Sequence, residues 1–229
     1  GEQMKGNLSQ MMGVFVAGLA DESLPVRLST LKAVQSFVNT IHGDKEMEAA
    51  IPLIPSVITV IKQCIAADQE SVALSAFEIF DGLVETKSSQ SLDSTIPALM
   101  QFMVELSVNS ELDIEIRDRA VTFLSWVIAF KPNIIIKQKM VSAVINVAFK
   151  MLVEPEDDDS QEDDMTAFKT GSSLLDELAV GIPSKYVFRE VIEIAVPLTS
   201  RHNFAERKAG VTAIGLIAEG CHQPMRGNL

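Results

Sequence analysis

The fold class this sequence predicts is all-α: a solenoid of stacked helix pairs. Three observations predict it. An amphipathic helical segment recurs along the 229 residues, a second helical segment precedes each copy, and no stretch alternates with period two for long enough to make a sheet. The recurring segment reads "PVRLSTLKAVQSFV" (25–38), "SVALSAFEIFDGLV" (71–84), "EIRDRAVTFLSWVI" (115–128), "TAFKTGSSLLDELAV" (166–180) and "ERKAGVTAIGLIAEG" (206–220). Alignment places Val26, Val72, Ile116, Ala167 and Glu206 in one column, with steps of 46, 44, 51 and 39 residues.

The preceding helices are expected over roughly Leu8–Ala20, Glu46–Ala67, Asp93–Asn109, Ile134–Val153 and Ser184–Arg201, each with an apolar stripe of three to four residues per two turns. Pro25 suits a first turn, and Asp93 and Ser184 stand where N-caps belong. Pro52, Pro55, Pro97 and Pro197 fall inside first helices and should kink or interrupt them. Short polar turns such as "ADES" and "KSSQS" separate the helices. Paired helices at a period of about 40–47 residues indicate a HEAT or armadillo solenoid, and two helices per unit fit HEAT. The expectation is about five HEAT repeats of antiparallel helix pairs, wound as a right-handed superhelix. They fall near residues 5–41, 46–86, 93–130, 134–181 and 184–222, as one segment over residues 1–229. An irregular helical bundle is the alternative.

Composition narrows the function. The chain is 47% hydrophobic, enough for a core and unlike a disordered composition. A net charge of −12 argues against a general nucleic-acid binder and points to basic partners or to solubility. No apolar run is read as reaching membrane-span length without a polar break, and the N-terminus lacks the order of a signal peptide. Two cysteines, Cys64 and Cys221, do not make a disulfide framework and suit a reducing compartment.

The catalytic inventory is thin. His42, His202 and His222 all lie near expected helix ends, and no Cys/His set has zinc spacing. There is no nucleophile elbow and no phosphate-binding loop. The acidic block lacks the glycine and terminal glutamate of a calcium loop. The reading is a non-enzyme with no catalytic, cofactor or metal site.

Binding is then the task of the second helices, which line the concave side of such an array. Counting from the anchor column, positions seven and eight are expected to be buried. Position six reads Lys32, Glu78, Thr122, Ser173 and Thr212; position nine reads Gln35, Asp81, Ser125, Asp176 and Gly215; position thirteen reads Asn39, Glu85, Ala129, Val180 and Glu219. This surface is small, polar and locally acidic. Glu78, Asp81 and Glu85 share one helix face and, with Asp176, are candidate seats for Lys or Arg; a solvated face is the bland reading. The column one place after the anchor reads Arg27, Ala73, Arg117, Phe168 and Arg207, and its arginines are read as structural. Trp126 flanks the apolar stripe, as a packing residue or a partly exposed contact.

The densest charge is "EPEDDDSQEDD" (154–164), with eight acids in eleven residues: Glu154, Glu156, Asp157, Asp158, Asp159, Glu162, Asp163 and Asp164. Exposed ion pairs contribute roughly 0.2–1 kcal/mol each, so eight total about 4 kcal/mol, near millimolar affinity. Such a block can steer a basic partner but not hold it. A solvated insert without a partner is the alternative.

Three of these segments carry a family resemblance: "ELDIEIRDRAVTFLSWVIAFKPNIIIKQKMV", "EPEDDDSQEDDMTAFKTGSSLLDELA" and "ERKAGVTAIGLIAEGCHQPM". They resemble an internal fragment of the importin-β (karyopherin-β) nuclear transport receptors, of the importin-four type, with the importin-five type a near relative. Where the family often has a Trp after its acidic loop, this chain has Met165–Thr166. The resemblance implies a piece of a longer receptor that begins just after the N-terminal Ran-binding repeats and ends, at "PMRGNL", in a further first helix. It implies a monomer that shuttles between cytoplasm and nucleus. Its implied partners are basic cargo of the histone or ribosomal-protein type, Ran-GTP and Phe-Gly nucleoporins, with no nucleic acid and no membrane. Slots for Phe-Gly repeats are expected near Met100, Phe102, Met103 and Val144. A HEAT scaffold subunit of a multiprotein complex is the alternative function.

Overall fold

The computed structural model describes residues 2–40, 44–84, 93–155 and 164–226. Every regular element among these residues is helical. They are α1 (Glu2–Leu19), α2 (Leu24–Thr40), α3 (Asp44–Ala50), a 3-10 turn (Ile51–Leu53), α4 (Ile54–Ala66), α5 (Glu70–Ala76), α6 (Glu78–Val84) and α7 (Ile96–Ser107). Then follow α8 (Ile114–Phe130), α9 (Pro132–Lys137), α10 (Val141–Leu152), α11 (Ala167–Gly181), α12 (Ser184–Leu198), α13 (Phe204–Leu216) and α14 (His222–Arg226).

The chain divides into two compact units, Gly1–Ala98 and Leu99–Leu229. In the first, α1 pairs with α2 and α4 with α5; α1 also packs on α4, and α2 on α5 and α6. In the second, α10 pairs with α11 and α12 with α13; α10 packs on α12, and α11 lies between α8 and α13. Each unit therefore has a layer of first helices and a layer of second helices. A lone pair cannot bury its apolar stripe, and stacking completes the burial.

The stripes have helical spacing. In α4, Val57, Val60, Ile61 and Cys64 are fully buried at i, i+3, i+4 and i+7. The two columns expected to be core are core at Val34, Ile79, Phe80, Phe123, Leu124, Leu174, Leu175 and Ala213. Ala33 is exposed and Ile214 half-buried.

Helix starts differ from expectation. Ser184 is not a cap: it is the first helical residue of α12, after Pro183, and no side chain caps that end. Asp93 lies three residues before α7 begins. Side-chain caps form on the second unit's second helices. Asp113 accepts from Glu115 N (3.0 Å), Thr166 from Lys169 N (3.3 Å) and Asn203 from Ala205 N (2.9 Å).

Pro52 and Pro55 do interrupt their helix, which breaks into α3, the 3-10 turn and α4. Pro97 sits harmlessly in the first turn of α7, and Pro197 falls one residue before the end of α12. The helix expected over 134–153 is also split, at Lys139, whose φ is 56°. There Met140 N donates to Ile135 O (3.0 Å) and Lys139 N to Ile136 O (3.1 Å), a Schellman stop; Asp68 (φ 53°) closes α4 in the same way. A left-handed non-glycine residue costs about 1–2 kcal/mol, while glycine loses about 0.4–1 kcal/mol through the freer unfolded chain. Lys139→Gly is therefore expected to raise unfolding stability by about 0.5–1 kcal/mol, read as a higher urea midpoint at unchanged slope.

The run Glu46–Ala66 has the length and hydropathy of a bilayer span. It is broken at Pro52 and Pro55, and its apolar residues face the core: Leu53, Ile54, Val57, Val60, Ile61 and Cys64 are buried, and α4 packs on α1, α2 and α5.

Second helices cross first helices closely at two glycines. A Cβ on Gly171 of α11 would lie 2.8 Å from Ala148 O and 2.9 Å from Met151 Cβ of α10. On Gly210 of α13 it would lie 2.7 Å from Ala195 O of α12.

Candidate functional site

Within the second unit, α8 and α11 lie side by side with two adjoining clefts between them. The first, of 580 Å³, is walled by Asp118, Thr122, Ser125 and Trp126 from α8, with Asp164, Met165, Lys169, Ser173 and Glu177 opposite. The second is walled by Ser125, Trp126 and Ala129, with Asp176, Glu177, Val180 and Gly181 opposite. Trp126, half-buried, stands between the two, and Glu177 faces it from both. The floor is fixed by Thr170 Oγ1, which donates to Asp118 Oδ1 (2.7 Å) and ties α11 to α8. Lys169 Nζ donates to the backbone oxygen of Asp164 (2.8 Å) at the mouth of the first cleft.

The candidate residues are placed as follows. Asp164 is exposed in the first cleft and Asp176 in the second, so the surface gathers these two. Glu154 is already engaged: its carboxylate forms a two-pronged ion pair with the guanidinium of Arg117, Nη1 to Oε2 at 2.8 Å and Nη2 to Oε1. Arg117 is 4% exposed and Glu154 24%, and Arg117 Nε also donates to Ser107 O (3.1 Å). Glu78, in the first unit, is exposed and accepts from Gln35 Nε2 (2.7 Å) and Asn39 Nδ2 (3.3 Å) of α2. Asp81 is half-buried on the same helix. Glu85, Glu156, Asp157, Asp158, Asp159, Glu162 and Asp163 lie outside the described residues.

The arginine column works through backbone. Arg27 Nη1 donates to Asp21 O and Glu22 O, and Arg207 Nη1 to Arg201 O (2.8 Å) and His202 O (2.6 Å). Each guanidinium holds carbonyls of the turn before its own helix, while the Asp21 carboxylate accepts from Ser23 N instead. Phe168 replaces arginine in this column, and Lys208 Nζ of α13 sits 3.7 Å from its ring centroid.

Trp126 and Glu177 share position ten after the anchor, a column left unread in sequence; it held the signal for the cleft's central pair. The proposed Phe-Gly slots are not surfaces: Met100, Phe102, Met103 and Val144 are buried in the second unit's core. Cys64 and Cys221 are fully buried, and desolvation pushes both thiols above their usual range. Among the described residues no three His, Cys, Asp or Glu side chains gather as metal ligands. The clefts offer an aromatic face, short apolar walls and carboxylates, which suit a long cationic side chain with its stem on the indole and its head among acids.

A family model described as "IPO5-like, TPR repeats" matches residues 1–102. Importin-4 of Mus musculus is 23% identical over 227 residues, covering 92% of this chain and 21% of its own length. A probable importin-5 homologue of Dictyostelium discoideum is 24% identical over 223 residues, covering 92% and 20%. The chain thus spans about a fifth of the curated relatives it matches. Among solved structures, Kap121p bound to Pho4p superposes with a TM-score of 0.81 at 19% identity, over 97% of this chain and 23% of that one. Kap121p bound to RanGTP gives 0.78 at 19%, over 94% and 22%. The helix-pair fold is that of the karyopherin HEAT arrays.

Proposed function

From its distant homology to the importin-β receptors, which spans about nine-tenths of the chain, we propose that this is a segment of a nuclear transport receptor that binds basic protein cargo. It acts by binding alone, without catalysis, and its helices serve as about five consecutive HEAT repeats. The cargo is a Lys/Arg-bearing segment of the histone or ribosomal-protein kind. Ran-GTP and Phe-Gly nucleoporins are the other partners, and the receptor shuttles between cytoplasm and nucleus. The relatives support this: solved structures show Kap121p with RanGTP, with Pho4p and with Nup53p.

The observation that carries the cargo assignment is the half-buried Trp126 flanked by Asp164, Asp176 and Glu177 in the α8–α11 clefts. Trp126 is the chain's single tryptophan, so its emission reports on this surface alone. Titration with a blocked Lys/Arg-rich peptide should change that emission saturably and less so at high salt. A Glu-for-Lys counterpart should do nothing. Asp176→Asn and Glu177→Gln should each weaken binding about two- to fivefold, the scale of one exposed ion pair. A flat titration at low salt, with protein intact by circular dichroism, rejects the assignment.

A further inference from the structure

The two α8–α11 clefts differ in chemistry. The first gathers Asp118, Asp164 and Glu177, with hydroxyls at Thr122 and Ser173. The second is lined by Trp126, Ile128, Ala129 and Val180, and its acids, Asp176 and Glu177, are exposed. Val180 is 62% exposed, and Ala129 is exposed beside it. Both occupy position thirteen after the anchor, where the other pairs carry Asn39, Glu85 and Glu219, so the apolar members of that column meet only at this cleft. A β-branched residue gains nothing in helix propensity on an exposed face, and at that exposure Val180 adds little to the core. The walls are also short. Ser125, Ala129 and Gly181 leave a cleft of 460 Å³. Gly181 lets the end of α11 close on α8, since a Cβ there would lie 2.5 Å from Ile128 Cγ2.

We infer that the second cleft is a subsite for a large apolar side chain, of the Leu, Met or Phe class, carried by the cargo segment two residues from the Lys or Arg that the first cleft takes. This rests on the basic-cargo reading of the clefts. Side chains two apart in an extended chain point the same way and stand about 7 Å apart. The two clefts adjoin, with Ser125, Trp126 and Glu177 as their common wall, so one stretch of extended backbone crossing Trp126 serves both. The carboxylates disfavour an acidic segment, while the apolar lining rewards a residue that charge alone would not choose. Selectivity then goes beyond net charge: a purely basic segment fills the first cleft and leaves the second poorly used.

The test uses the full 229-residue chain, Trp126 emission and blocked peptides with the core Lys-Ser-X-Ser-Lys, in which X is Leu, Ala or Lys. The core is symmetric, so a lysine stands two residues from X whichever way the backbone runs. The Leu peptide should bind about five- to tenfold tighter than the Ala peptide, and tighter than the Lys peptide. All affinities should fall as salt rises, but the Leu-to-Ala ratio should hold, because apolar contact is not screened. Val180→Ser should bring that ratio close to one, and so should moving Leu one place along the peptide. Equal binding of the Leu and Ala peptides, or tightest binding by the Lys peptide, overturns the inference and leaves the basic-cargo reading standing. A Leu gain that survives both Val180→Ser and the shift is general apolar adhesion and overturns it too. Should no peptide bind at low salt, the cargo reading fails and this inference with it.

Discussion

Gly171→Val should destabilise the second unit by more than 3 kcal/mol, and Gly210→Val should do the same. A glycine-to-alanine change inside a helix normally gains about 0.8–1 kcal/mol from propensity. Here the added methyl meets backbone. Its nearest neighbours at position 171 are Ala148 O, Met151 Cβ and Leu152 N, at 2.8, 2.9 and 3.2 Å. At position 210 they are Ala195 O, Leu198 Cβ and Thr199 N, at 2.7, 3.0 and 3.0 Å. None is the free end of a side chain, so α11 must lift from α10, or α13 from α12. Overpacking of this kind costs about 1–3 kcal/mol for a small insertion, and a β-branched group adds more. Alanine should therefore destabilise by about 1–2 kcal/mol and valine by more, read as falling urea midpoints in the order Gly, Ala, Val. An alanine variant more stable than the parent would contradict the close crossing.

The second large effect is an asymmetry across the Arg117–Glu154 ion pair. Removing one partner of a buried pair typically costs about 3–5 kcal/mol, because the other charge is left unmatched. The two partners are unequally buried: Arg117 is 4% exposed and Glu154 is 24%. Glu154→Gln strands the deeper charge, with Ser107 O as its other hydrogen-bond acceptor, and should cost about 3 kcal/mol or more. Arg117→Met leaves a carboxylate that water already reaches, and should cost less. The double variant Arg117→Met with Glu154→Leu should recover much of the loss, since apolar replacements of buried pairs are often near neutral. A thermodynamic cycle from denaturation of the four proteins measures the coupling. Equal losses for the two single variants would contradict the burial difference.

The sequence was most legible where one rule decides the outcome. Apolar spacing located the helix pairs, and the column count separated core Phe123 and Leu174 from exposed Ser173 and Asp176, because helical periodicity fixes which way a side chain points. It was less legible where two local signals compete. Ser184 reads as a cap, but the preceding Pro183 takes that position. Lys139 stops a helix in a left-handed conformation that lysine seldom adopts, so nothing in "KQKM" announces the break. The cleft was half visible. Asp164 and Asp176 were named from charge, whereas Trp126, Glu177 and Asp118 come together only through the packing of α8 on α11, which no single segment encodes. Glu154 reads like its acidic neighbours, and only the position of Arg117, 37 residues earlier, sets it apart.

The arginine-closed turns have a bearing on how such chains lengthen. Arg27 reaches back to Asp21, and Arg207 to Arg201, six residues in each case. A side chain of fixed reach acts as a gauge on that joint, and an extra residue inserted there would pull the guanidinium off its carbonyls. In the fourth pair Phe168 has no such grip, and that is where this chain carries its long acidic insertion. Natural length variation among relatives should accordingly gather at joints without the gauge and spare those that have it.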